Sequence, residues 1–146
     1  MIIRFVRPED KAQWLPLWQG YLAFYKVENL PSDVTETTWA RFFDDAEPVH
    51  ALVAEENGAL RGFVHYIFHR NTWMVEDVCY LEDLFTAEAA RGKGVGRALI
   101  EAVYAAARAA GSTRVYWMTH ETNTTAQALY NNIADKPGFI QYRKQV

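Results

Sequence analysis

A glycine-rich turn between a predicted strand and a predicted helix constrains this chain more than any other feature. Residues 80–111 read YLEDLFTAEAARGKGVGRALIEAVYAAARAAG. Apolar residues recur at helical spacing from Val95 onward, and Gly111 is a natural helix stop. Glycine reaches backbone angles that other residues avoid and lets a ligand approach the backbone closely. A plain turn needs one glycine, whereas this turn has three at alternate positions: Gly92, Gly94 and Gly96.

This turn has the properties of a phosphate-binding site. The first turn of a helix presents unpaired N–H groups and a partial positive charge. Three cationic side chains surround it, namely Arg91, Lys93 and Arg97. A P-loop would require GxxxxGK followed by Ser or Thr, and the dinucleotide fingerprint GxGxxG would require glycine at position 97. These mismatches weaken the alternative of a nucleotide-binding protein of another fold.

The rest of the chain alternates between helical and strand patterns. An apolar stripe at helical spacing follows Pro8, with Pro16 as an interruption. Asn57-Gly58 is a strong signal for a hairpin turn. The patterns predict strands over residues 1–6, 49–55, 59–68, 74–86, 113–119 and 138–144, and helices over residues 7–25, 35–45, 95–110 and 124–133. This order predicts a mixed α/β layer arrangement.

Length and composition limit the class of protein. With 146 residues, half of them hydrophobic, the chain is expected to form one domain over residues 1–146. A net charge of −3 without a basic run argues against a nucleic-acid partner. No apolar 18-residue run or leader pattern is visible, so we expect a cytoplasmic protein without a membrane segment. Cys79 lies in an apolar run and is expected to be a buried structural thiol. Four scattered histidines predict no metal site.

Several segments resemble the GNAT family of N-acetyltransferases. The turn RGKGVG is similar to the R/Q-x-x-G-x-G/A motif of that family, whose backbone amides hold the pyrophosphate of coenzyme A. LEDLF resembles the preceding strand of the polyamine acetyltransferases, and TRVYWMTHETNTTAQALY resembles the strand, Asn and Tyr that complete the acetyl-CoA site. With the amino-terminal segment IRFVRPEDKAQWLPLWQGYLAFY, the likeness covers nearly the whole chain and extends to the histone and polyamine acetyltransferase subgroup.

The resemblance implies a fold and a co-substrate site. The fold would be a mixed α/β GNAT-type sheet whose central parallel strands splay apart, with helices on both faces. The co-substrate would be acetyl-CoA, and no metal is implied. The residues expected to contact acetyl-CoA are Leu84, Phe85, Thr86, Arg91, Gly92, Lys93, Gly94, Val95, Gly96, Arg97, Asn123 and Tyr130.

Two side chains are candidates for the catalytic base and acid. Glu82 is a carboxylate inside an otherwise apolar strand, where a charge is costly unless it is used or paired, and the resemblance implies that it is the base. Tyr130 is protonated at neutral pH, and the resemblance implies that it protonates the departing thiolate. The alternatives are a surface carboxylate and a core aromatic. Asp83 would point away from Glu82 in a regular strand, unless a bulge intervenes. Asp83, Tyr25 and Glu28 are candidate substrate contacts.

These features predict an N-acetyltransferase that moves an acetyl group from acetyl-CoA to a primary amine by direct attack in a ternary complex. The acceptor would be a polyamine, a lysine-like amine of a protein or peptide, or another small amine. Three alternatives stay open: a non-catalytic acyl-CoA sensor, an enzyme of the same fold for amino acids, and one for antibiotic amines. The resemblance further implies a homodimer formed through the carboxy-terminal strand region.

Overall fold

The computed structural model describes residues 1–146, and its centre is a five-stranded sheet in the order β1-β2-β3-β4-β5. The strands are β1 (Ile2–Phe5), β2 (Val49–Glu56), β3 (Ala59–His69), β4 (Val78–Thr86) and β5 (Val115–Tyr116). The helices are α1 (Lys11–Phe24), α2 (Ser32–Arg41), α3 (Val95–Ala109) and α4 (Thr124–Ile133). Strands β1 to β4 pair antiparallel, and β5 pairs parallel to β4.

Local chemistry explains the hairpin and the end of the long helix. Asn57 and Gly58 both have positive φ, 52° and 78°, which is the combination that a two-residue type I′ turn between β2 and β3 requires. Gly111 has a φ of 83° and follows the last turn of α3 in the left-handed conformation that ends helices. Both predictions from the sequence are confirmed.

The helices cover both faces of the sheet, and each face has its own apolar core. On one face, α3 packs with Leu99, Ile100 and Val103 against alternate residues of β2, β3 and β4. On the other face, α1 and α2 bring Trp14, Trp18 and Trp39 together with the opposite set of strand residues. The alternation follows from the two-residue period of a strand. The predicted mixed α/β class with helices on both faces is confirmed.

The two parallel strands stay together only briefly. Their pairing consists of Cys79 with Val115 and Tyr80 with Tyr116, although β4 continues to Thr86. The last six residues of β4 therefore have no neighbouring strand on the β5 side. This is the splayed arrangement that the family resemblance implied, and it leaves an open backbone edge at the carboxyl end of β4.

A buried ion pair ties the start of the chain to the first helix. The Arg4 guanidinium donates to Asp10 through Nη1 at 2.7 Å and Nη2 at 3.0 Å, and through Nε to Glu55 at 2.6 Å. The Arg7 backbone N–H donates to the same Asp10 carboxylate at 2.7 Å. The hydrogen bond from Arg4 lowers the pKa of the buried Asp10, so the pair stabilises the fold while Asp10 is ionised.

Several predicted elements differ from the observed ones. The prediction of a strand over residues 138–144 is wrong, because no neighbouring strand accepts its backbone hydrogen bonds and the segment lies exposed without regular structure. The predicted strand over residues 113–119 is reduced to two residues for the same reason. Helix α2 begins and ends earlier than predicted, and β4 begins only at Val78. Cys79 is fully buried, as predicted. None of the helices combines the length and apolar character needed to cross a membrane.

Candidate active site

A bulge in β4 puts two neighbouring carboxylates on the same face of the sheet. His65 pairs with Asp83 and Tyr66 pairs with Leu81, so Glu82 has no partner in β3. Leu81 and Leu84 both pack into the α3 core, which leaves Glu82 and Asp83 together on the α1 and α2 face. A regular strand would have separated them. Asp83 would point away from Glu82 only in a regular strand, and the bulge named as the exception is present, so the two carboxylates share one face.

Both carboxylates line a cleft of about 340 Å³ between α1, α2 and the strands β2 to β4. Its walls are mostly apolar, and Arg41 is the only lysine or arginine that lines it. Burial and then the negative charge of Asp83 raise the pKa of Glu82 above its ordinary value of 4.5. The cleft therefore contains a carboxylate with a raised pKa, which suits a base, beside a second carboxylate. The lining residues are Trp18, Tyr21, Leu22, Val27, Leu30, Val34, Thr38, Arg41, Phe42, Val49, His65, Ile67, Glu82 and Asp83.

Asp83 is held from behind by a buried histidine. The Nδ1 of His65 lies 2.9 Å from Asp83 Oδ2, and Trp14 Nε1 donates to His65 Nε2 at 3.1 Å. His65 is only 2% exposed. His65 was not among the predicted site residues. The usable signal was a polar residue in the middle of a strand whose neighbours are all apolar.

Two tyrosines interact with Asp83, and a third, Tyr130, packs on the α3 side of the sheet. Burial and then the charge of Asp83 raise the pKa of both Tyr21 and Tyr25, which lie on and just after α1. Tyr130 comes from α4 on the other side, and its ring meets Trp117 edge-on at 5.4 Å. Burial and then the neighbouring Tyr25 raise the pKa of Tyr130. The phenol of Tyr130 therefore stays protonated at neutral pH, and its ring packs against Trp117, which follows β5.

The glycine-rich turn presents a row of free backbone donors. Gly92 and Gly94 have φ of 76° and 81°, and no heavy atom lies within 4 Å of a Cβ at either position. The N–H groups from position 92 to position 97 find no acceptor among the hydrogen bonds of the turns and caps. Those of residues 95–97 belong to the first turn of α3, where the helix dipole adds positive charge.

The turn is attached to the carboxyl end of β4. Arg91 Nε donates to the Thr86 carbonyl at 3.2 Å, and the Arg91 guanidinium lies 5.7 Å from the centre of the Phe85 ring. A Cβ on Gly96 would lie 3.9 Å from Thr86 Oγ1. The open edge of β4 and the donor row of the turn are therefore contiguous, and they form one surface.

A model of the acetyltransferase (GNAT) family matches residues 14–133. The chain belongs to this family. It is 40% identical over 146 residues to the D-amino-acid N-acetyltransferase HPA3 of Saccharomyces cerevisiae, covering 99% of this chain and 90% of that protein. It is 29% identical over 144 residues to the uncharacterized N-acetyltransferase YhfO of Bacillus subtilis, covering 97% and 95% of the two chains.

Solved structures give the same fold. A probable acetyltransferase superposes with a TM-score of 0.85 at 23% identity, covering 100% of this chain and 98% of the other. The aminoglycoside N-acetyltransferase AAC(6')-Iy in complex with CoA superposes with a TM-score of 0.82 at 21% identity, covering 99% and 95%. The predicted family and the predicted enzyme class are confirmed, whereas the histone and polyamine subgroup is only a resemblance.

In this GNAT acetyltransferase the turn fits the co-substrate of the family, acetyl-CoA. A pyrophosphate needs several converging N–H donors and nearby cations. The donor row supplies the first, and the exposed Lys93 supplies a cation without a partner of its own. Arg97 is partly engaged, since its Nε donates to Glu101 at 2.9 Å. When bound, acetyl-CoA would supply the thioester, and the open edge of β4 offers it backbone groups.

Two predicted residues have other placements. Asn123 caps α4, because its Oδ1 accepts a hydrogen bond from the Ala126 N–H at 3.3 Å, which leaves the amide nitrogen for a ligand. Glu28 is exposed and lies outside the set of cleft-lining residues. Tyr25 also lies outside that set, although the charge of Asp83 raises its pKa and Tyr25 in turn raises the pKa of Tyr130. Arg41 was not among the predicted site residues, and nothing in its local sequence distinguishes it.

Proposed function

We propose that this enzyme transfers the acetyl group of acetyl-CoA to the α-amine of a free amino acid. The observation that carries the proposal is the polarity of the cleft: Glu82 and Asp83 suit an ammonium, and Arg41 suits a carboxylate. Arg41 is held only by a long contact of 3.7 Å to Glu47, so its guanidinium retains donors for a bidentate carboxylate contact. The D-amino-acid activity named for the yeast relative supports the same class of acceptor.

A polyamine fits this cleft less well. The paired carboxylates would accept one ammonium, but a second cationic group would meet Arg41 and the apolar walls. Leu22, Val27 and Leu30 offer such an acceptor no further negative charge. The same walls suit the apolar side chain of an amino acid. We therefore revise the expected acceptor from a polyamine or lysine-like amine to an amino acid.

The proposed chemistry gives one role each to Glu82 and Tyr130. Glu82 takes a proton from the acceptor ammonium, directly or through a water. The freed nitrogen lone pair attacks the thioester carbonyl, the C–N bond forms and the C–S bond breaks. Tyr130 gives its proton to the departing thiolate, and the nitrogen loses its second proton, which restores Tyr130 through solvent. The products are an N-acetyl amino acid, CoA with a free thiol, and one released proton. Backbone N–H groups of residues 84–86 would stabilise the carbonyl oxygen.

The test is thiol release from acetyl-CoA with matched acceptors. We would compare D-leucine, L-leucine, D-leucinamide and spermidine on the wild type and on Arg41→Gln. We expect the wild type to release thiol fastest with one of the two amino acids and more slowly with the amide and with spermidine. In Arg41→Gln, the KM for the amino acid should rise while the amide is unaffected. Equal use of acid and amide by the wild type would refute the amino-acid assignment. Binding of acetyl-CoA without turnover of any amine would favour the sensor alternative.

We also propose that the enzyme is a homodimer formed through residues 138–146. Phe139, Ile140 and Tyr142 are exposed there, and Gln141 contacts Met118 just beyond the open edge of β5. The alternating pattern of this segment is that of a strand, and a second copy could supply the missing partner. Light scattering during gel filtration should give twice the mass of one chain for the wild type. Ile140→Asp should give the mass of one chain.

A further inference from the structure

Both ring nitrogens of His65 are engaged, and together they determine where its proton is. An indole N–H can only donate, so the 3.1 Å contact from Trp14 Nε1 requires a lone pair on His65 Nε2. The imidazole proton must then be on Nδ1, which lies 2.9 Å from Asp83 Oδ2. His65 is thus a neutral Nδ1–H donor, and Asp83 is its acceptor.

Aromatic rings hold the imidazole in this orientation. Phe63 stacks on it with ring centres 4.4 Å apart and planes 23° apart. Phe42 and Trp18 lie 4.8 Å and 5.4 Å away. A ring flip would place a carbon opposite the Trp14 N–H and another opposite the carboxylate, and it would leave buried polar groups without partners.

The neighbouring carboxylates are therefore restrained differently. One Asp83 oxygen is fixed by His65, and the Tyr21 phenol interacts with the same carboxylate. A carboxylate has about four acceptor sites, so Asp83 can still accept a hydrogen bond from a ligand in the cleft. Glu82, at the bulge, has no hydrogen bond or ion pair to another side chain and has the raised pKa. Two carboxylates in different environments are a common basis for a division of roles.

We propose that His65 is a positioning residue, which Trp14 keeps in the neutral Nδ1–H tautomer so that Asp83 is aimed at the acceptor ammonium while Glu82 removes its proton. This inference rests on the proposed function, because it requires an amine acceptor in the cleft. It adds a second layer to the site, in which a tryptophan on α1 acts on substrate binding through a histidine and a carboxylate.

The kinetic test compares two replacements of His65 with a matched control. His65→Leu removes the donor to Asp83. His65→Asn keeps a donor because the Asn amide nitrogen occupies roughly the place of Nδ1. His69→Leu changes an exposed histidine on the same strand. We expect His65→Leu to raise the acceptor KM at least about tenfold, the factor that corresponds to ~1.4 kcal/mol. The KM for acetyl-CoA should stay unchanged, and His65→Asn should restore most of the loss.

A spectroscopic measurement tests the tautomer independently of turnover. Long-range ¹⁵N–¹H correlation of the imidazoles should show His65 as the pure Nδ1–H form at neutral pH, and Trp14→Phe should give a mixture of tautomers. An Nε2–H form or an imidazolium in the wild type would overturn the proposal. Equal losses in His65→Leu and His65→Asn, with both KM values and thermal stability changed together, would also overturn it, because they indicate a merely structural role. If the wild type turns over no amine, the proposed function fails and the role in acceptor binding fails with it, whatever the tautomer.

Discussion

Replacing Glu82 with Gln is the most direct test of the acid–base chemistry, because it removes the charge and keeps the shape of the side chain. Deprotonating an acceptor ammonium with a pKa of ~10.4 at pH 7 costs about 4.6 kcal/mol of free energy. Deprotonating an α-amine with a pKa of ~7.8 costs about 1 kcal/mol. The amine of a free amino acid lies between these limits. A positioned base typically contributes about 10²–10⁴-fold. We expect kcat/KM at pH 7 to fall by about 10²-fold or more.

The pH dependence of this loss is the sharper result. Burial and Asp83 raise the pKa of Glu82. The midpoint of the acidic limb in the wild-type kcat/KM profile should therefore lie at a pH above 4.5, the ordinary pKa of Glu. Activity is lost as the pH decreases through that limb, since the base becomes protonated. The limb should disappear in Glu82→Gln. The difference between the two enzymes should also shrink as the pH approaches the pKa of the amine, because the acceptor then arrives already deprotonated.

The assay is thiol release with a saturating acetyl-CoA concentration and a series of pH values. Asp83→Asn is the matched control, since it changes the adjacent carboxylate in the same cleft. We expect it to raise the acceptor KM and to move the acidic limb to lower pH, because the charge that raises the pKa of Glu82 is gone. A Glu82→Gln enzyme with undiminished kcat/KM, or with a loss of the same size at every pH, would refute the assignment of Glu82 as the base.

Three further predictions concern other parts of the molecule. Tyr130→Phe keeps the ring that packs on Trp117 and should lower kcat about 10²-fold without a change in melting temperature, as measured by thiol release and thermal unfolding. Gly94→Ala puts a side chain at a φ of 81°, which costs about 1–2 kcal/mol; binding titrations should show weaker acetyl-CoA binding, and the ordinary φ of Gly96 makes Gly96→Ala the tolerated control. Asp10→Asn breaks the ion pair with Arg4, which keeps its contact with Glu55, and should lower the free energy of unfolding in urea by about 1.5–3 kcal/mol at pH 7. Because the folded pKa of Asp10 lies below its ordinary value of 3.8, the wild type should lose this advantage as the pH falls below that value, and the Asn variant should not.

Features that depend on neighbouring residues in the chain were predictable from the sequence. The hairpin turn at Asn57-Gly58 needs only two residues that tolerate positive φ. The glycine turn, the long helix after it and the helix over residues 124–133 follow from local glycine chemistry and helical periodicity. The family followed from the same segments, and so did the proposed co-substrate site, because a phosphate site made of consecutive backbone N–H groups is itself a local structure.

The acceptor side of the site was decided by contacts between distant segments. The bulge at Glu82 arises from the register between β3 and β4, and register is a property of two strands, so one strand alone could not reveal that Asp83 joins Glu82. His65 and Asp83 are 18 positions apart, and Trp14 lies a further 51 positions from His65. The prediction of a strand over residues 138–144 was wrong because it considered the alternating pattern alone. Such a pattern forms a strand only where a neighbouring strand completes its backbone hydrogen bonds. Local sequence therefore determined the glycine turn and helix of the proposed acetyl-CoA site, and long-range packing alone determined which charges line the cleft.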